Sequence, residues 1–200
     1  KMNEKLFLRR LLYLETMGAA VGLAAPTAQH MRHVIQFKGG EEGQIINHLV
    51  EESDNERVHL YAILELKRPS LPTRIAVLMF QTAFFLMFTT IHFISPRVGF
   101  RYIGYLEEEA FDTYTKIIKG IDEGTLPEWK NYPAPSELKM YYMLPDDAVL
   151  RDAYVCVRAD EVMHREVNHH LGDGHKDVYF MSDKAEVKKT KPREEYGTLE

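Results

Sequence analysis

At 200 residues the chain is long enough for one domain with a sizeable core. A net charge of −5 argues against nucleic acid as its partner, and a single cysteine, Cys156, excludes intrachain disulfides and thiolate metal sites. Any metal chemistry must therefore use carboxylates and imidazoles, donors that suit iron or manganese. The chain begins with Lys1, which reads as a fragment or processed form from which any targeting peptide has gone.

Residues 3–36 read as a helix with Leu8, Leu11, Leu12, Glu15 and Ala19 on one face. Glu15 stands alone among apolar neighbours; it is either an inward ligand or a surface glutamate at the edge of the stripe. Gly18, Gly22 and Ala24-Ala25 allow another helix to approach closely. Pro26 is expected to kink the helix, and Gly39-Gly40 to break the chain into a turn. Residues 41–68 form a second helix, one face of which carries Ile45, Leu49, Glu52, Glu56, His59 and Ile63. Acids and a histidine on an apolar face are costly to bury unless compensated, and a shared metal cation would compensate them.

Pro69 and Pro72 end that helix, and residues 73–95 are the most apolar part of the chain. Ile75 to Ile94 meets the length of about 20 residues needed to cross a bilayer. A crossing would place the acids and histidines before it and those after it on opposite sides of the membrane. A helix lying in one leaflet keeps them together, with Arg68, Arg74, Arg97 and Arg101 placed to meet lipid headgroups. A helix buried between subunits is the soluble alternative, and both can hold on different faces.

Pro96 is expected to end this run, and residues 100–123 to form the next helix. Ile103, Glu107, Ala110, Phe111 and Tyr114 share a face, so of three adjacent glutamates Glu107 points inward while Glu108 and Glu109 meet solvent. Residues 124–145 read as a loop rich in Pro, Tyr and Trp, too long not to pack over something specific. Asp146 or Asp147 is expected to cap a last helix, stopped by Gly172, whose inward face is Leu150, Tyr154, Val157, Glu161, His164 and Asn168.

Glu56-x-x-His59 is thus repeated by Glu161-x-x-His164. Residues three apart share a helix face, so each pair offers one carboxylate and one imidazole to a common ion. With 20 Glu and 9 His in the chain, chance gives roughly one such match, so a single pair is weak evidence. A third match, Glu166-x-x-His169, starts about 140° round the helix from Glu161 and reads as a decoy. Two pairs, with one inward glutamate on each of two further helices, make the di-iron or di-manganese carboxylate pattern of ferritin-like bundles. The expected architecture is all-α: a ferritin-like four-helix bundle with an additional interfacial apolar helix, over residues 1–181, and a charged tail at 182–200.

With these residues placed, the sequence resembles the alternative oxidases, the cyanide-insensitive ubiquinol oxidases. The resemblance runs from about Arg10 to His169. It rests on Leu14-Glu15-Thr16, Asn55-Glu56-Arg57-Val58-His59-Leu60, Leu106-Glu107-Glu108-Glu109-Ala110 and Arg158-Ala159-Asp160-Glu161-x-x-His164-Arg165-x-Val167-Asn168-His169. It implies a di-iron centre held by Glu15, Glu56, His59, Glu107, Glu161 and His164. Tyr114 is implied as the catalytic tyrosine, and Asn55 and Asp160 as residues that orient ligands. Arg10, Leu14, Leu106, Ala110, Thr113 and Tyr114 are implied as the wall of the ubiquinol pocket. The implied enzyme reduces O2 to water without pumping protons, in a branched respiratory chain. It sits as a homodimer on one leaflet of the mitochondrial inner membrane, on the matrix side.

The chain departs from the family pattern at Met163 and Phe100, where histidines are usual, and at Tyr142, where a tryptophan is usual. The family's first helix is expected to lie upstream of Lys1. A soluble ferritin-like ferroxidase or peroxidase uses the same donor set and is the alternative; it would have no need of the apolar helix. A non-enzymatic bundle with a polar core, and a zinc or manganese hydrolase, are weaker readings.

Overall fold

The computed structural model describes residues 2–37 and 40–176, without the side chains of Glu41 and Glu42. Among the described residues six α-helices follow in order: α1 Glu4–Gln36, α2 Gly40–Lys67, α3 Leu71–Ile94, α4 Pro96–Asp122, α5 Ser136–Tyr141 and α6 Leu150–Gly172. Among the described residues there is no strand beyond an isolated bridge between Pro133 and Val149. The 182–200 tail, the boundary at 181 and Gly39 of the expected turn lie outside the described residues.

The bundle is built from two helix pairs, α1 with α2 and α4 with α6, joined where α1 packs on α4; α3 lies against α1 and α4. This all-α bundle with an apolar helix on its outside is the expected architecture. Two apolar clusters fill it. One contains Leu11, Ile63, Tyr114, Ile117, Leu150 and Tyr154, the other Val21, Leu49, Phe88, Phe100, Ile103 and Val167. Each fully buried Leu or Ile of these clusters contributes about 1.5–3 kcal/mol. Along α1, α4 and α6 the inward acids and imidazoles lie between the residues given to one cluster and those given to the other; on α2 Glu52 and Glu56 do so, and His59 directly follows Val58 of the first cluster. The polar band is thus sealed by apolar side chains at both ends.

The inward faces of α2 and α6 are buried at every position expected. On α4, Ile103, Glu107, Ala110 and Tyr114 are buried and Glu108 and Glu109 exposed, while Phe111 is half-buried. Burial on α1 is broader than one stripe. Leu8, Leu12 and Ala19 are only half-buried, whereas Phe7, Leu14, Met17, Val21 and Ala24 are buried, because α2, α3 and α4 all pack on this helix. Gly22 brings α1 close to α2: a Cβ there would stand 3.4 Å from the Ser53 Cα. Pro26 removes one helical donor, yet the helix continues to Gln36, and the nearby Thr27 hydroxyl donates to the Leu23 carbonyl at 2.8 Å.

Three expected boundaries are corrected. Pro96 starts α4 instead of preceding it by a few residues, because a proline at the first helical position forfeits no helical hydrogen bond. The stretch 124–145 is not structureless; it holds a 3-10 turn at Pro127–Trp129 and the short helix α5. Neither Asp146 nor Asp147 caps α6. Its N-cap is Val149, whose N–H donates to Asp152 Oδ2 at 3.2 Å.

By length and composition α1 and α3 could each cross a membrane, but 72% of the apolar stretch of α1 is buried in the bundle against 11% of that of α3. The outer face of α3 exposes Ile75, Leu78, Met79, Phe80, Leu86, Met87 and Ile94. Of the arginines expected to meet headgroups, Arg101 is engaged within the fold, donating to Asp173 and lying 3.0 Å from His169 Nδ1.

Candidate metal centre

Four helices deliver six side chains to the polar band: Glu15 from α1, Glu56 and His59 from α2, Glu107 from α4, and Glu161 and His164 from α6. None is more than 5% exposed. Because Glu and His within each pair are one helical turn apart, each pair points its carboxylate and imidazole the same way. His59 Nδ1 lies 3.1 Å from Glu161 Oε1, 3.6 Å from Glu56 Oε1 and 3.8 Å from Glu15 Oε2. His164 Nδ1 lies 3.0 Å from the same Glu56 oxygen, and the two imidazole centroids are 6.4 Å apart. The donor atoms form two clusters, each within 4.8 Å: Glu56, Glu107, Glu161 and His164 in one, Glu15, His59 and Glu161 in the other. Glu161 belongs to both, and Glu56 Oε1 faces both imidazoles, so two ions could be held side by side with these carboxylates between them.

The electrostatics fit cations. Burial pushes Glu15 up to about 7, and burial with neighbouring carboxylates holds Glu107 and Glu161 well above the usual range. Burial would raise Glu56 too, but His164 and His59 outweigh it and leave its carboxyl at about 2. Burial opposes charge on both imidazoles, yet the surrounding carboxylates outweigh it and raise each to about 9. Protons are thus what balances this cluster, and divalent cations are the other means of doing so. Both Nδ1 atoms, Glu15 Oε2, Glu56 Oε1, Glu107 Oε1 and both Glu161 oxygens are buried without a hydrogen-bond partner. Such atoms are costly unless they bind something, and here they converge on one space. All-carboxylate and imidazole donors of this kind suit iron or manganese.

The surrounding residues hold this arrangement. Tyr114 is buried and donates its hydroxyl to Glu15 Oε1 at 2.6 Å; burial pushes its pKa well above the usual phenol value. Asn55 and Asp160, expected to orient ligands, meet each other, Asn55 Nδ2 donating to Asp160 Oδ2 at 2.6 Å. Glu166 turns outward to Arg165, and His169 lies against Glu108 and Arg101, so the third Glu-x-x-His match is indeed no part of the cluster. Arg10 and Thr113 come together, Arg10 Nε donating to Thr113 Oγ1 at 2.8 Å, and Arg10 also pairs with Glu109. Of the residues expected to wall the quinol pocket, Arg10 and Thr113 thus join α1 to α4, while Leu14, Ala110 and Tyr114 are buried and Leu106 is half-buried. A pocket of about 340 Å³ elsewhere, lined by Gln29, Arg32, Arg97 and Phe100, shares no residue with this site.

Three contributions do not follow from the sequence alone. Tyr142, in the stretch expected to be a loop, places its hydroxyl 2.8 Å from His59 Nε2 and 2.7 Å from Asp160 Oδ2, and burial raises its pKa well above the usual phenol value. Helix phase points Glu52 inward but does not name its partner: Asn168 Nδ2 donates to it at 2.8 Å and to the His164 carbonyl at 2.9 Å. Gly18 leaves room for the Glu56 carboxylate itself, since a Cβ there would fall 2.1 Å from Glu56 Oε2. The close approach of two helices is legible in the glycine; the side chain filling the gap is not.

Comparison with known proteins gives the same answer. Residues 1–173 match the family model described as Alternative oxidase. The chain is 40% identical over 174 residues to "Alternative oxidase, mitochondrial" of Emericella nidulans, covering 86% of this chain and 49% of that protein. It is 40% identical over 166 residues to "Ubiquinol oxidase 2, mitochondrial" of Glycine max, covering 83% and 48% respectively. It is 38% identical over 177 residues to "Alternative oxidase, mitochondrial" of Trypanosoma brucei brucei, covering 87% and 52%. The chain spans about half the length of the curated relatives it matches. The match takes in every helix of the bundle, and all six clustered side chains lie within it: the chain belongs to the alternative oxidase family.

Proposed function

We propose that this chain is the di-iron core of a ubiquinol oxidase that reduces O2 to water, insensitive to cyanide and without pumping protons. The observation that carries the proposal is the convergence of six buried donors from four helices, their orphaned atoms facing one another. Glu15, Glu56, His59, Glu107, Glu161 and His164 would hold the two irons. When bound, the pair of irons supplies the redox chemistry between quinol and oxygen. Oxidation of two quinols yields the four electrons and four protons that turn one O2 into two water molecules.

The chain's own residues position and protect this exchange. Arg10 and Thr113, hydrogen-bonded at 2.8 Å, offer polar atoms to the quinol oxygens, while Leu14, Leu106 and Ala110 offer the apolar wall. Tyr114 carries its proton on Oη, 2.6 Å from Glu15 Oε1, and is placed to exchange that proton with the Glu15 carboxylate. Asn55 and Asp160 fix the α2 and α6 ligands from behind. The apolar clusters at either end keep bulk water from the band.

The exposed apolar face of α3 supports attachment to one leaflet, from which a lipid-soluble quinol reaches the α1–α4 contact. In this reading the chain works as a homodimer on the matrix side of the mitochondrial inner membrane; the relatives' mitochondrial names support the compartment. A soluble ferroxidase or peroxidase would leave that face without a purpose. The test is oxygen uptake by the iron-loaded protein with a soluble quinol in the presence of cyanide, run beside Glu161→Ala. Cyanide-resistant uptake that disappears in the variant is the expected result. Two irons per chain with Fe(II) oxidation but no quinol oxidation would replace this reading by the ferroxidase.

A further inference from the structure

We infer that Tyr142 is a positioning residue for the metal centre: its hydroxyl links the outer nitrogen of His59 to the Asp160 carboxylate and thereby fixes the tautomer and aim of that imidazole. This rests on the reading of His59 as a ligand, because its Nδ1 faces Glu161, Glu56 and Glu15. An imidazole that binds an ion through Nδ1 carries its remaining proton on Nε2. The structure places one acceptor for that proton within 3 Å, the Tyr142 Oη at 2.8 Å. Asp160 Oδ2 is 3.9 Å from Nε2, too far for a direct hydrogen bond.

The direction of the chain of hydrogen bonds is then set. A phenol has one proton to donate, and a carboxylate accepts only. Having accepted from His59, Tyr142 donates to Asp160 Oδ2 at 2.7 Å. The same oxygen accepts from Asn55 Nδ2 at 2.6 Å, which holds the carboxylate in place. Asn55 also reaches Tyr141 Oη at 3.2 Å, and the rings of Tyr141 and Tyr142 meet edge to face at 5.0 Å. Tyr142 is delivered by α5, which packs on α2 and which it follows directly in sequence. The short helix in the long connection thus carries the phenol that spans the gap between a carboxylate on α6 and an imidazole on α2.

One substitution separates this role from its rivals. Tyr142→Phe keeps the ring and removes the hydroxyl. The full chain is titrated anaerobically with ferrous iron, and its proton NMR spectrum is recorded in H2O and D2O. Ring N–H protons of iron-bound histidines appear as strongly shifted, exchangeable resonances, one for His59 and one for His164. The variant is expected to bind ferrous iron at least about tenfold more weakly, in line with the loss of an outer hydrogen bond to a ligating histidine. It should lose or rapidly exchange one shifted resonance while retaining the other, with helix content unchanged by circular dichroism. A Tyr142→Phe spectrum and affinity equal to those of the parent would overturn the inference, as would loss of both resonances together. A parent chain that takes up no iron would remove the ligand reading of His59, and this inference with it.

Discussion

Gly18 faces the Glu56 carboxylate across the α1–α2 contact, and the atom a methyl group would strike is the end of that side chain, not backbone. Gly18→Ala should therefore leave both helices intact, with helix propensity favouring alanine by about 1 kcal/mol, while displacing the Glu56 carboxylate, whose other oxygen faces both imidazoles. The expected outcome is unchanged or higher helicity in the metal-free chain with iron uptake reduced at least about tenfold, read as iron per protein after gel filtration. Tyr114→Phe tests the other side of the cluster. It removes the proton donated to Glu15 but no donor atom of the six, so iron content should hold while quinol turnover falls on the order of a hundredfold. Undiminished turnover at full iron loading would take Tyr114 out of the mechanism. These residues also mark what a sequence can and cannot say. Helix phase alone separates Glu107 from Glu108 and Glu109, because the period of one helix decides it. Phase places Glu52 and Asn168 inward as well, yet not together, because their 2.8 Å contact depends on the register between α2 and α6.

At the scale of elements, long amphipathic segments are legible in the sequence and the shorter or more enclosed ones are not. The faces of α2 and α6 follow from period because each buries one stripe. α1 is covered by three neighbours, so a one-stripe reading leaves out Phe7, Met17 and Val21. α5 has 6 residues, fewer than two helical turns, and its surrounding prolines and tyrosines read as loop. Pro96 reads as a stop and is also a start, because proline suits the first position of a helix as well as the end of one. α3 is legible by composition, and its outward face carries a prediction of its own. Leu78 and Met79 are 63% and 68% exposed, so replacing both by glutamate should spare the fold and the iron content. Cosedimentation with phospholipid vesicles should fall at least about tenfold, since two apolar contacts are exchanged for charges at an interface. Vesicle binding equal to the parent's would move the membrane contact away from α3.

The molecule as a whole is two apolar clusters separated by a layer of titratable groups, and that layer should govern how the metal-free chain responds to pH. Glu15 and Glu52 rise from 4.5 to about 7 on folding, and Glu107 and Glu161 rise further, burial being the chief cause for all four. Between 4.5 and the folded value the native state holds protons that the unfolded chain has released, so stability falls as pH rises. His59 and His164, raised from 6.5 to about 9, act the same way: the stability they add is complete below 6.5 and is lost as pH passes 9. His48 and His92 oppose this, burial lowering each from 6.5 to about 4, so their contribution grows across that interval and is then constant. Glu56, lowered from 4.5 to about 2, adds stability above 4.5 that is lost as pH falls through 2. Six groups therefore weaken the metal-free fold toward alkaline pH, and above 6.5 nothing among the two opposing histidines offsets them. The melting temperature of the metal-free chain should decline from about pH 6.5 to pH 9. With iron bound, cations replace those protons, uptake should release protons into a weakly buffered solution, and the alkaline decline should largely vanish. The gap between the metal-free and iron-loaded melting curves should thus widen with pH. Parallel curves from pH 6 to 9 would mean that iron, wherever it binds, is not held by this layer.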